Sequence, residues 1–447
     1  MSDLQQQVVR ARALEAAVWG MPAVNYRLMY EAGLSVGMTG QNQVVWWPGR
    51  MSALNQSLTP NPDVVYVMAF YDTTDGPVVL EVPAAAGDNK INGSVMNYWQ
   101  AAIEDVGPAG YDAGAGASYL ILPPGWTGPV PDGYIPLRSD TVTGYALLRS
   151  IPADDTDASM DAAVTYAEGI EFYPFTAPGV AGQTARFSAL DQEFDAKIRY
   201  DASFFTTLNT VVQSEPWLDR DRVMIDQLAS LGIVRGSAYA PDDDTVTAQT
   251  DGIGDAQAWL EEKYRALYDT PYYEGTHWTL PALPELVAAT NDGFADTESY
   301  PVDERGVSYT FAFFSSRHLG KGQSYLTAIS DANGDDLDGS RTYTLHIPAG
   351  VPVEQYWSLT AYQAGTHTFI EESGRLSRSS LDADLTVNED GSVDLYLCQE
   401  LSGALEGKDG NWIQTSDQPF EVMFRLYGPT DDFNSKENWA LPDIQPL

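Results

Sequence analysis

The chain has 447 residues, 44% of them hydrophobic and 11% aromatic, which is material for two or more domains rather than a single core. Its 63 acidic and 24 basic side chains leave a formal charge of −39; such a field repels phosphate backbones and anionic headgroups, so neither nucleic acid nor a membrane surface is expected as a partner. A single cysteine, Cys398, excludes an intramolecular disulfide framework and a multi-cysteine metal cluster.

Taken in order, the chain begins MSDLQQQVVRARALEAAVW, with no continuous apolar run behind a basic start. That predicts a cytoplasmic protein, or an exported one if the chain is a mature form. Apolar residues at helical spacing predict a helix over residues 4–19. Gly20-Met21-Pro22 should break it, and Pro22 should open a second helix ending at Gly33. Gly33-Leu34-Ser35-Val36-Gly37 matches the nucleophile-elbow pattern, but a helix precedes it where a strand is required, so it reads as a helix end. Val44-Val45-Trp46-Trp47-Pro48-Gly49 can line a pocket or belong to core.

Residues 57–83, SLTPNPDVVYVMAFYDTTDGPVVLEVP, hold the densest set of signals. Two prolines bar a helix at Thr59-Pro60-Asn61-Pro62-Asp63, where Asn61 and Asp63 can bond their own backbone. An apolar, β-branched and aromatic run over 64–71 then predicts a strand buried on both faces, and 78–83 predicts its hairpin partner. From 77 to about 153, Gly and Pro punctuate short strands every eight to twelve residues, the rhythm of an antiparallel sandwich or jelly roll. Helices are predicted over 160–174, 187–213, 219–231 and 255–267, with an acidic loop at Pro241-Asp242-Asp243-Asp244. Strands return from Tyr309 to Pro429, and the tail 437–447 should dock as an extended strap.

Four histidines, His277, His318, His346 and His367, form no HExxH or HxH pair. His346 reads as a locally satisfied strand residue, and His367, beside a glycine turn, is the candidate base. Asp331, Asn333 and Asp335 offer alternating oxygen ligands suited to calcium. They depart from the EF-hand pattern, with Gly334 fourth, Asp336 in place of the glycine and Thr342 where the bidentate glutamate belongs; a polar turn is the alternative.

PNPDVVY, GPVVLEVP, GPAGYDAGAGASYLILPPGW (107–126) and YALLRS (145–150) resemble the bacterial domain-of-unknown-function family 1254. YTLHIPAGVPVEQYWSLTAYQ (343–363), NEDGSVDLYL (388–397), Asn411-Trp412 and FRLYGP (424–429) are similar to its usual partner, family 1214. The resemblance implies a fold like double jelly-roll proteins and a homo-oligomer; it assigns no activity. Asn61, Asp63, Tyr66, Trp99, Arg149, Trp357, Arg378, Asn411, Trp412 and Arg425 lie within or beside the matched motifs.

The reading is an α+β, β-dominated protein with two jelly-roll-like antiparallel β-sandwiches: a helical lead (1–40), an amino-terminal sandwich (41–180), a mainly helical connection (181–305) and a carboxy-terminal sandwich (306–447). Two function classes follow. One is a ligand-binding or assembly protein in which Asn61, Trp99, Arg149, Trp357, Asn411, Trp412 and Arg425 hold a small anion or amphipathic molecule. The other is a hydrolase or lyase using Asp63, Tyr66, His367 and Arg378 in a pocket between the sandwiches. The dispersed acidic charge adds the expectation of a marine or halophilic source.

Overall fold

A computed structural model describes residues 1–85, 89–312, 316–318 and 323–447. The amino terminus is one 33-residue helix, Asp3–Ser35, capped by the Ser2 hydroxyl and uninterrupted at Gly20-Met21-Pro22, against the predicted break. Proline inside a helix costs about 3 kcal/mol, but here the helix is buried without interruption from Ala16 to Tyr26, and tertiary packing decides. Gly20 is a packing residue: a Cβ there would lie 2.9 Å from Leu208 of the helix Ser203–Ser214.

The amino-terminal domain stacks two sheets. One has six strands in the order Arg186–Ser188, Gln43–Trp46, Val65–Asp72, Thr143–Ile151, Lys90–Asn97, Ala102–Val106. The other has four, in the order Glu171–Pro174, Val78–Val82, Ala117–Leu122, Tyr134–Arg138. Val65–Asp72 is buried on both faces, as its composition predicts. Its partners, however, are Gln43–Trp46 and Thr143–Ile151. Val78–Val82 pairs in the opposite sheet, so 72–77 crosses the sandwich and no hairpin forms. Val65, Val67, Ala69 and Tyr71 thereby meet Val78 and Leu80 in the intersheet core. Among the described residues four strand pairs are parallel: Gln43–Trp46 with Arg186–Ser188, Asn55–Gln56 with Phe194–Asp195, Ala117–Leu122 with Tyr134–Arg138, and Val393–Cys398 with Trp412–Gln414.

The carboxy-terminal domain repeats the layering. Gln323–Ala328, Phe420–Pro429, Val353–Gln363 and Thr368–Phe369 form one sheet, with Ser377–Ser379 also pairing Val353–Gln363. Trp412–Gln414, Val393–Cys398, Tyr343–Ile347 and the tail strand Gln445–Pro446 form the other. Leu345, Leu359, Leu395 and Phe424 fill the space between. Cys398 is a buried thiol.

Between the domains the sequence pattern misleads in three places. Residues 186–195 are two short strands rather than helix, because Phe194 pairs with Asn55; helix begins at Ser203. The acidic loop is a helix start: Asp242 caps Asp243–Ala266 by accepting from the Thr245 N–H, where carboxylates complement the helix dipole. Tyr309 lies in the helix Val302–Phe311, and the first strand of the second domain begins at Gln323. Among the described residues no helix is long and apolar enough to cross a membrane.

One apolar cluster ties these parts together. The helix Asp3–Ser35 packs on the helices Ser203–Ser214, Asp243–Ala266 and Val302–Phe311. The same cluster contains Tyr66, Met68, Phe70 and Leu147 from the six-stranded sheet and Tyr356, Tyr362, Met423 and Tyr427 from the five-stranded sheet. The two sandwiches therefore face each other across a shared core.

Candidate functional site

The Thr-Pro-Asn-Pro turn meets the carboxy-terminal sheet directly. Thr59 adopts φ 36°, a left-handed conformation that a β-branched residue keeps only when its surroundings impose it. Those surroundings are visible: its N–H donates to the His367 carbonyl at 2.7 Å and its hydroxyl to the Phe311 carbonyl at 3.0 Å. Its carbonyl accepts from Arg425 Nη2 at 2.9 Å. Tyr362 donates to the Pro60 carbonyl at 2.6 Å, and Asn61 Nδ2 donates to the Tyr427 hydroxyl at 2.6 Å while its Oδ1 accepts from the Asp63 N–H at 3.0 Å.

Beside this junction lies a cavity of about 270 Å³. Tyr66, Met68, Leu147 and Arg149 contribute from the amino-terminal sheet, Tyr325, Met423 and Arg425 from the carboxy-terminal sheet, and Leu280, Pro281 and Ala282 from the connection. The charged residues described in its lining, Arg149 and Arg425, are both arginines. Arg149 Nε donates to the Tyr66 hydroxyl at 3.1 Å, with the guanidinium 5.2 Å from the Tyr66 ring centre. Arg425 donates through Nη1 to Thr360 Oγ1 at 2.8 Å and through Nη2 to Thr59 and the Tyr362 hydroxyl. It lies 5.8 Å from the Tyr325 ring centre. Register explains the meeting: Tyr66 opposes Arg149 and Tyr325 opposes Arg425 in their sheets.

The other candidates have separate surroundings. Asp63, 7% exposed, lies outside the cavity lining; its Oδ1 accepts from the Ser377 hydroxyl at 3.1 Å and its Oδ2 has no hydrogen-bond partner among the described residues. Burial, then Asp382, pushes its carboxyl up to about 6, with Arg425 and Arg50 opposing. His367 is buried in a left-handed turn rather than solvated. Its Nδ1 sits 2.8 Å from Glu421 Oε1, and Tyr264 donates to Glu421 Oε2 at 2.7 Å. Burial works against protonation of His367, but Glu421 outweighs it and raises the imidazole. This pair lies behind Thr59, outside the cavity.

Arg378 clamps a turn, donating to Asp382 at 2.9 Å and to the Trp412 and Asp409 carbonyls. Asn411 bridges Thr386 and the Asp394 carbonyl, and Trp412 donates to the Cys398 carbonyl. Trp357 stacks on Phe424 in the domain core, and Trp99 lies 4.6 Å from Trp19. None of these five lines the cavity. Asp331 is a turn cap: its buried Oδ1 accepts from the N–H groups of Asn333 and Asp335, and its Oδ2 faces Arg341 at 3.9 Å. Among the described residues no three His, Cys, Asp or Glu side chains are grouped to hold a metal ion.

Tyr66, Arg149 and Arg425 thus share one wall-lined space, with Asn61 and Asp63 behind it. Sequence reasoning missed Tyr325, Met423 and the Leu280-Pro281-Ala282 segment. The last carried a signal, since apolar residues in a proline-broken stretch with no element of their own need a surface to cover.

The model described as "Protein of unknown function (DUF1254)" matches residues 41–174, and that described as "Protein of unknown function (DUF1214)" matches 322–431. No curated protein matches the chain significantly. Among solved structures, the VPA0106 protein of Vibrio parahaemolyticus is similar over 98% of this chain and 100% of its own, with 17% identity and TM-score 0.60; this likeness concerns the fold alone. A putative uncharacterized protein from Burkholderia cenocepacia aligns over 99% of this chain and 94% of its own at 10% identity, but its TM-score of 0.40 carries no argument. With both models matched in this order, one on each side of the cavity, the chain belongs to the paired families of unknown function 1254, amino-terminal, and 1214, carboxy-terminal.

Proposed function

We propose that the protein binds a small organic molecule in the cavity between its two domains. The observation that carries this reading is a space of about 270 Å³ with walls from both domains and the connection, largely apolar, with two arginines among its polar lining residues. Ligand sites favour concave, mostly apolar spaces at domain boundaries with a few placed polar groups. A hydrolase or lyase has less support, because Asp63, His367 and Arg378 are engaged outside that space.

The test is to fill the cavity. Leu147→Trp places an indole where the lining Leu147 stands. Mass spectrometry of extracts from the purified protein, with thermal shifts against a library of small amphipathic molecules, should detect ligand for the parent chain. The same measurements should detect none for a folded Leu147→Trp variant. Equal binding by both proteins refutes the assignment of the site.

A further inference from the structure

Arg149 lines the cavity with donors to spare. Its Nε is spent on Tyr66, and its two terminal amino groups donate to no described residue. No described carboxylate lies within 4 Å of Arg149 or Arg425. Arginine stays protonated at all relevant pH values. A guanidinium that faces a cavity with unspent donors and no carboxylate beside it is a ready seat for an anion supplied from outside the chain.

The charged residues described in the lining are Arg149 and Arg425. Arg425 is already engaged with Thr59, Thr360 and Tyr362, which leaves Arg149 to take a single anionic group. The Tyr66 hydroxyl accepts from Arg149, which leaves its own O–H to donate to an acceptor beside the guanidinium. A planar fork with an adjacent phenol suits the two oxygens of a carboxylate. Met51, Leu58, Met68, Leu147, Leu280 and Met423 give the lining an apolar part that suits a hydrocarbon body. Scaling from the ~150 Å³ cavity that accepts one benzene, the space takes roughly ten non-hydrogen atoms.

We infer that the ligand is a monocarboxylate with an apolar tail, its carboxylate on Arg149 and the Tyr66 hydroxyl, its tail among the methionines and leucines. This rests on the binding reading above and adds the chemical class. Octanoate is a probe of that size.

The experiment is calorimetric titration of the full chain with octanoate, 1-octanol and octyl phosphate, repeated on Arg149→Met. Arg149 is chosen because Arg425 also holds the Thr59 turn. Octanoate should bind saturably at one site, and at least about tenfold more tightly than octanol, as befits a charge-assisted pair. Arg149→Met should remove that advantage, with a parent-like circular dichroism spectrum reporting that the variant is folded. Octanol binding as tightly as octanoate overturns the carboxylate assignment and leaves the cavity reading standing. Tighter binding of octyl phosphate overturns it in favour of a dianion. Failure of all three to bind overturns both.

Discussion

Asp63 allows a sharp test of how this interface is built. Its carboxyl is 7% exposed, accepts a hydroxyl from Ser377 on one oxygen and has no hydrogen-bond partner among the described residues on the other. Desolvation, followed by repulsion from Asp382, moves it from 3.8 to about 6. At about 1.4 kcal/mol for each tenfold change in proton affinity, that gap corresponds to about 3 kcal/mol. The sign is unfavourable to the folded state. Well below 3.8 the group is protonated whether the chain is folded or not, and its burial costs nothing through charge. As pH rises through 4 to 6 the unfolded chain releases its proton first, and stability is lost until the folded carboxyl ionises too. Asp63→Asn keeps the shape and the oxygen that Ser377 bonds while deleting the charge. Urea unfolding between pH 3.5 and 8 should therefore give nearly equal stabilities at the acid end and a variant more stable by about 3 kcal/mol above pH 7. A variant equally or less stable at pH 8, or a difference that does not change with pH, would refute the reasoning.

Three further outcomes follow from the same coordinates. Gly252→Ala should destabilise the fold, because the new Cβ would sit 2.6 Å from Ala13 Cβ and from the Arg10 carbonyl oxygen where two helices cross. The overpacking, about 1–3 kcal/mol, exceeds the roughly 1 kcal/mol gained in helix propensity, so an unchanged or higher urea midpoint would count against that contact. With a charge of −39, the melting temperature should rise as sodium chloride goes from 0.1 to 1 M and the screening length falls from about 10 Å to about 3 Å; a fall would contradict self-repulsion as the governing term. Millimolar calcium should leave the melting temperature unchanged, since the Asp331 Oδ1 is occupied by backbone donors; a rise that magnesium does not reproduce would restore the loop as a cation site.

Much of the fold was legible where the signal is local. The all-apolar run ending at Asp72 announces a strand buried on both faces, and it is one. Its partners were not legible, because pairing with Thr143–Ile151 depends on residues some eighty positions away, whereas the hairpin reading used only what lay next in the chain. The same limit explains Phe194, whose neighbours mimic helical spacing while its backbone answers to Asn55. Gly20 and Pro22 carry strong breaker chemistry that loses to burial on all sides. At the site, Arg149 and Arg425 were visible as unusual cations inside strands. Arg378 and Asn411 looked equivalent, and only their surroundings separate a turn clamp from a cavity wall.

The stapling of Thr59 to Arg425 spans 366 positions. The cavity can therefore close only after nearly the whole polypeptide has been made, and such distant contacts form late in folding. Either domain expressed by itself would carry half of the enclosure and a bare arginine. Under the proposed binding function, neither half alone would therefore be expected to hold the ligand.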